Sequence, residues 1–325
     1  MLDYQYKFIK LNKSYGIRLM NNADDKDIDL FFELFYDCFG FRQHLDKIWF
    51  NWYYNQNPNG ICNNYLLFDI EHNKLIGAYG FAKIPYYLEN KEKIGVLGVN
   101  GFIHKDYTKR GLYAELMNYG LKIETKNNLA FSFPHGNNKG SVKGHFNSNW
   151  KLFEDLHFFE KEINKRIINK PENIEILEDD FKAIDFEQFN KKNFAFIKDT
   201  GFLNWRYTQR PYRKYISIGF KDQENVIAYM ILGKYINQDK LIRTQIVDFN
   251  AIDINTFEQL LKGAEYFAQI EQSYKIDLIL GMGSKYIESL KKQNFHKSGE
   301  VYKLMIYPDI NESNSNALLG DFDAV

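Results

Sequence analysis

The sequence predicts a duplicated α/β fold, and three observations carry the prediction. A short pattern occurs twice, as FNWYYNQNP at residues 50–58 and as LNWRYTQRP at residues 203–211. Asn51, Trp52, Tyr54, Gln56 and Pro58 match Asn204, Trp205, Tyr207, Gln209 and Pro211 at one constant offset. The segments after the two copies also agree. YLLFD, EHNK and LIGAYGFAKI after the first correspond to YISIGF, KDQEN and VIAYMILGKY after the second. Each set reads as a β-hairpin, two β-rich runs joined by a charged turn. Finally, 325 residues with 45% hydrophobic and 26% charged side chains exclude a wholly disordered chain. That length corresponds to two domains at roughly 150 residues each.

The remaining elements can be justified in order. After the first hairpin come a strand-like GVLGVNGFIH (95–104) and a helix-like GLYAELMNYGLKIETK (111–126). In the helix, Leu112, Leu116, Tyr119 and Ile123 recur at the spacing of one helical face. The apolar run LAFSF (129–133) closes this part. After the second hairpin come TQIVDFNAI (244–252), TFEQLLKGAEYFAQIEQ (256–272) and IDLILGM (276–282). Each half therefore reads β–α–α–β–β–β–α–β, with a further helix and strand after it. The expected boundaries are 1–165 for the first domain and 166–310 for a divergent connector (about 160–200) plus the second domain. Residues 311–325, polar and unpatterned, are expected to form a flexible tail. The twin Trp52 and Trp205 are expected to pack each repeat's helix onto its own sheet.

Composition narrows the partners. Forty-two Lys+Arg balance 42 Asp+Glu, which argues against a chain-wide polyanion, so no nucleic-acid partner is expected. Cys38 and Cys62 form no CxxC pair, and no HExxH, GxGxxG or GKS/T motif occurs, so no metal is expected. No run approaches the roughly 18 apolar residues of a membrane span, and the start has no signal-peptide pattern. A soluble, cytoplasmic protein with no membrane partner is the expectation.

Residues 96–150 carry the chemistry: VNGFIH, the loop KDYTKRGLY, the helix, LAFSFPHG, and then NKGSVKGHFNSNW. This stretch resembles the GNAT superfamily of acyl-CoA-dependent N-acyltransferases. The resemblance implies two GNAT-like domains in tandem, each a mixed, mostly antiparallel central sheet flanked by helices. In that family the strand before the loop serves the pantetheine arm, here including Phe102, Ile103 and His104. The R/Q-x-x-G-x-G/A loop that wraps the pyrophosphate maps onto Thr108, Lys109, Arg110, Gly111, Leu112 and Tyr113. Successive backbone N–H groups at a helix N-terminus cradle phosphate oxygens, and the helix dipole adds attraction. Thr108 and Tyr113 depart from the family pattern. The next family element, N-x-x-A-x-x-L-Y followed by Gly-Phe, maps onto Asn138, Ser141, Gly144, His145 and Asn149-Trp150. It implies CoA contacts for Asn138 and Ser141, and puts His145 where the family's proton-donating Tyr stands. Gly140 and Gly144 suggest an irregular segment there. The second half lacks this equipment: its loop is shortened, DINTF offers no cradle, and Leu290 stands at the His145 position.

An amine attacking a thioester must be neutral, and the departing thiolate needs a proton. His135, directly after a strand, is a candidate base; the alternative is a loop histidine with a structural hydrogen bond. His145 is the candidate acid, or else packs or contacts CoA. His104 either belongs to the site or caps a strand end. Asn100 and Asp248 are candidate acceptor-binding residues, Asp248 alternatively being a strand carboxylate bonded to backbone. Arg206 reads as a solvated helix residue, or alternatively as one facing the cleft. The resemblance implies direct transfer of an acetyl group from acetyl-CoA to the primary amine of a small polar acceptor. By analogy with tandem members of surface-polysaccharide pathways that acceptor is an amino sugar, including a nucleotide-linked one. The alternatives are an aminoacyltransferase of the peptidoglycan-bridge type and a non-catalytic CoA- or saccharide-binding module.

Overall fold

The chain begins as a hairpin of β1 (Tyr6–Lys10) and β2 (Lys13–Leu19), turned by Leu11 and Asn12 in left-handed conformations. The computed structural model describes residues 3–42, 44–126, 128–164, 169–177, 181–184, 186, 194–223, 225–237, 239–310 and 315–322. Next come α1 (Asp25–Phe39) and α2 (Lys47–Phe50), which runs into a π-turn over Asn51–Asn55. The first half continues through β3 (Asn63–Asp69), β4 (Lys74–Leu88), β5 (Lys91–Ile103), α3 (Leu112–Glu124), β6 (Ala130–Ser132), α4 (Lys139–Asn147) and β7 (Lys151–Glu162).

The second half supplies β8 (Ile174–Ile176), β9 (Phe194–Phe196) and α5 (Thr200–Leu203), which runs into a second π-turn over Asn204–Thr208. After it come β10 (Tyr215–Asp222), β11 (Asn225–Ile236), β12 (Ile242–Ala251), α6 (Ile254–Ile270), β13 (Lys275–Gly281), α7 (Ile287–Lys292), β14 (His296–Tyr307) and α8 (Leu319–Phe322). Each copy of the repeated pattern thus folds as the same capped turn. Asp46 accepts the N–H groups of Ile48 and Trp49, and Asp199 accepts that of Phe202. From the capped turn onward the element order repeats as three strands, a helix, a strand, a helix and a strand, while among the described residues α1 has no counterpart in the second half and α8 none in the first.

Strands join in the order β1-β2-β3-β4-β5-β6-β14-β7-β13-β12-β11-β10-β8, with β9 pairing along β4. Neighbours are antiparallel except at β5–β6 and β12–β13. The middle of this order departs from two self-contained domains. The last strand of the second half, β14, lies between β6 and β7, and the last strand of the first half, β7, lies between β14 and β13. Each half completes its sheet with the other's strand, so a boundary at residue 165 divides the chain but not the sheet.

The tryptophans obey the same two-fold relation. Trp52 Nε1 donates to the Trp205 carbonyl at 2.9 Å, and Trp205 Nε1 donates to the Trp52 carbonyl at 3.0 Å. Their rings stack at 5.2 Å. They pack repeat against repeat, correcting the expectation that each serves its own sheet. Accordingly, one core joins both halves on the π-turn face, from Phe31 and Trp52 to Trp205 and Leu304. Separate cores lie beneath α3 and beneath α6.

Two further expectations are corrected. The segment of Gly140 and Gly144 is a regular helix, because Asn138 caps it and the missing Cβ of Gly144 leaves room for the Tyr113 ring. Residues 315–322 of the polar tail also pack, and 311–314 and 323–325 lie outside the described residues. Asn316 bonds both backbone groups of Phe196, while Ala317 and Leu318 are buried.

Candidate active site

The loop between β5 and α3 turns through Lys109 and Gly111, at φ 61° and 71°. Gly111 is the N-cap of α3 and carries no side-chain cap, so the first turn of the helix keeps backbone N–H groups available to a ligand. Thr108, Lys109 and Gly111 are exposed. Thr108 Oγ1 is bonded to the Lys105 carbonyl, and Arg110 donates to the Asp106 carbonyl while lying 5.0 Å over the Tyr107 ring. Lys10, reaching across from β1, pairs with Glu115 at 2.7 Å and brings a further ammonium to this helix end. The Leu112 side chain is buried and packs in the core beneath α3. His104 sits behind the loop as its cap: Nδ1 accepts the Asp106 N–H, and Nε2 is 2.7 Å from Asp37.

Beyond the loop, β5 and β6 part. They pair only at Val96–Ala130 and Leu97–Phe131, so β5 beyond Leu97 faces β6 without a strand partner among the described residues. On its other edge β5 bulges against β4, where Asn100 takes φ 48°. The Tyr79 hydroxyl presses on this strand at Gly98, and the Tyr113 hydroxyl at Gly101. His145 lies behind them, its Nδ1 2.8 Å from the Ser141 carbonyl and its Nε2 3.4 Å from the Tyr79 hydroxyl. Burial lowers the His145 pKa to about 4. Its Nδ1 proton is committed to a carbonyl, leaving Nε2 an acceptor. A neutral ring in this tautomer has no proton for a thiolate, which corrects the acid role. Burial also raises Tyr113, to about 12, and Tyr79 further. Both hydroxyls keep their protons at neutral pH beneath the strand.

Asn138 serves α4, its Oδ1 accepting the Ser141 N–H at 3.1 Å. Asn149 takes φ 62°, the left-handed geometry suited to the family's glycine position, and Trp150 is buried. His135 lies past β6, half-buried and edge-on to Tyr302 of β14 at 4.8 Å. Its Nδ1 accepts the Asn137 N–H.

On the opposite face of β5 opens a cleft of about 540 Å³ between the halves. Phe35, Phe39, Trp49 and Phe102 form apolar wall, and the β5 bulge contributes Asn100 and Gly101. Asn100 is fixed there by the Tyr54 hydroxyl of the first π-turn, at 2.6 Å. The remaining lining includes Arg42 and His44 from the loop after α1, and Arg210, Tyr212 and Arg213 from the loop after the second π-turn. Sequence reasoning missed these residues. The signal lay in the repeat itself, where Arg210, Tyr212 and Arg213 stand against Asn57, Asn59 and Gly60. Phe102 belongs to this face rather than to that of α3, packing edge-on to Phe31 and Phe35. Neither His135 nor His145 is among the described lining residues.

Asp248 does not reach the cleft, which corrects its acceptor-binding reading. It is fully buried, 3.0 Å from Lys198, and accepts the Tyr207 hydroxyl at 2.7 Å. Asp321 of α8 completes the cluster, 3.2 Å from Lys198. Burial pushes Asp321 up to about 6; burial also pulls Lys198 down, but its two carboxylates outweigh that and hold it above its ordinary value. Arg206, expected in solvent, is buried and donates to the Gly320 carbonyl at 2.7 Å. Elsewhere Asp69, Glu71 and His72 bring ligand-type atoms within 4.8 Å of one another, but Asp69 is already engaged by Tyr107 and His72.

No protein-family model and no curated protein sequence matches the chain. Solved structures do. A GCN5-related N-acetyltransferase from Anabaena variabilis is similar over 89% of this chain and 72% of its own, with TM-score 0.65 and 13% identity. A probable N-acyltransferase from Enterococcus faecalis is similar over 90% and 72%, with TM-score 0.66 and 12% identity. Saccharomyces cerevisiae N-myristoyltransferase with bound myristoyl-CoA is similar over 96% and 86%, with TM-score 0.65 and 9% identity. The chain has the fold of the GNAT acyltransferases.

Proposed function

We propose that the chain is an acyl-CoA-dependent N-acyltransferase, moving an acetyl group from acetyl-CoA to the primary amine of a small polar acceptor. The carrying observation is the alignment of three features along β5. An α3 N-terminus opened by Gly111 stands at the end of the strand, the β5/β6 parting lies along it, and the cleft opens across its bulge. Thr108 to Tyr113 would hold the pyrophosphate by backbone N–H groups, helped by Lys10 and Lys109. The pantetheine would run along the free edge of β5 and bring the thioester to the bulge at Asn100. Similarity in fold to an N-acetyltransferase and to an N-myristoyltransferase with bound myristoyl-CoA is consistent with this reading.

Transfer is direct: the amine attacks the thioester carbonyl, and backbone N–H groups of β5 stabilise the tetrahedral oxyanion. We assign amine deprotonation to His44, which lines the cleft, in place of His135. The departing sulfur would leave as a thiolate that takes its proton from water, with the Tyr113 hydroxyl as a hydrogen-bond donor and no proton from His145. Free thiol released from acetyl-CoA across a panel of primary amines tests the reading. Amine-dependent release is expected. Tight CoA binding with no amine-dependent release would contradict it.

A further inference from the structure

We propose that the acceptor carries an oxyanion, phosphate or carboxylate, seated on Arg42 and Arg213 above the buried Arg210. The inference rests on the acyltransferase reading only in calling this ligand the acceptor. Its basis is the sign of the cleft within a chain of zero net charge. Three guanidinium groups line it, and no Asp or Glu is among the described lining residues. The carboxylate of nearby Asp46 is spent on capping α2 and on the Tyr212 hydroxyl.

The repeat shows that this charge belongs to the loop and not to the scaffold. Arg210 and Arg213 occupy the positions of Asn57 and Gly60, in the partner repeat that lies 153 residues away. Arg210 is only 6% exposed, its guanidinium 5.5 Å from the Trp52 ring and bonded to the Tyr215 hydroxyl. A cation held this rigidly loses little freedom on meeting an anion. Guanidinium forks match phosphate and carboxylate oxygens in paired hydrogen bonds. A low-dielectric wall of Phe35, Phe39 and Trp49 strengthens the attraction.

Calorimetric titration of the full chain with inorganic pyrophosphate and with citrate, each with and without saturating CoA, tests the inference. At least one probe is expected to bind the CoA-saturated chain once. Its affinity should fall at least tenfold in Arg213→Gln and in Arg42→Gln, whose parent side chains lie at the cleft surface and leave the core intact. Preference for pyrophosphate or for citrate distinguishes a phosphate-bearing from a carboxylate-bearing acceptor. Failure of both probes to bind the wild-type chain, or unchanged affinity in both variants, would overturn the proposal. CoA titration alone reports separately on the acyltransferase reading: anion binding without CoA binding would sink that reading and leave the anion site standing.

Discussion

The two halves finish the same scaffold in opposite ways. In the first, α3 opens on Gly111 with no side-chain cap, and its helix end stays open. In the second, α6 opens on Asp253, whose carboxylate accepts the Thr256 N–H in a capping box and occupies the place an anion would take. In the first, the π-turn Tyr54 holds Asn100 at the edge of a 540 Å³ cleft. In the second, the matched Tyr207 holds Asp248, over which Lys198 and α8 close. The cavity lined by Phe202 and Asn57, the counterparts of Trp49 and Arg210, keeps about 20 Å³ beside Gly320 and Asp321. In the second half this place is closed by packing and by the ion pairs of Lys198 with Asp248 and Asp321.

The largest effect is expected where the halves meet. Trp52→Ala or Trp205→Ala removes a buried ring and its hydrogen bond, at a cost of about 5 kcal/mol. Either variant should lower the denaturant midpoint of the whole chain in one transition. Two separable transitions would show that the halves fold independently and break the two-fold account.

Lys198→Met leaves Asp248 and Asp321 buried without their cation, expected to cost about 3–5 kcal/mol. CoA affinity measured under native conditions should stay at the wild-type value, since this cluster belongs to the filled half. A parallel loss of CoA binding would contradict the division of labour.

His145 predicts a pH signature on the active side. Its folded pKa of about 4 lies below the ordinary 6.5, so the unfolded state takes up the proton first. Its contribution is therefore constant above pH 6.5 and becomes destabilising as pH falls toward 4, by roughly 3 kcal/mol at the limit. In His145→Gln this part of the stability–pH curve should flatten. An unaltered curve would remove His145 from the buried network.

The smallest effect sharpens the contrast of the helix ends. Asp253→Ala should cost about 1 kcal/mol of stability by uncapping α6. It should create no second CoA site, because the preceding loop is too short to wrap a pyrophosphate. Appearance of such a site would mean the cap alone had closed it.

What was legible in the sequence was local. The helical face of Leu112 and Leu116, the paired hairpins and Gly111 at a helix start all arise from spacing and backbone chemistry within a few residues. Equivalence of Trp52 and Trp205 was also legible, but not their contact, since a repeat says which residues correspond and not that an axis runs between them. Strand exchange was hidden for a similar reason: β7 and β14 alternate as strands do, and alternation does not choose a neighbour. Asp248 was misplaced because its ammonium partner lies 50 residues away in the connector, and Asp321 lies in a tail that composition marks as loose. His145 owes its depressed pKa to burial beside Tyr79 of β4, Tyr113 of α3 and Trp150 of the turn before β7.

The central claim is that one half of this duplicated scaffold binds CoA, through the helix end opened by Gly111, and the other does not. Calorimetric titration of CoA into the wild-type chain and Gly111→Val tests it most directly. One site per chain is expected, weakened at least tenfold, about 1.4 kcal/mol, when a branched side chain enters a left-handed position at the pyrophosphate cradle. Two sites per chain, or undiminished affinity in Gly111→Val, would contradict it.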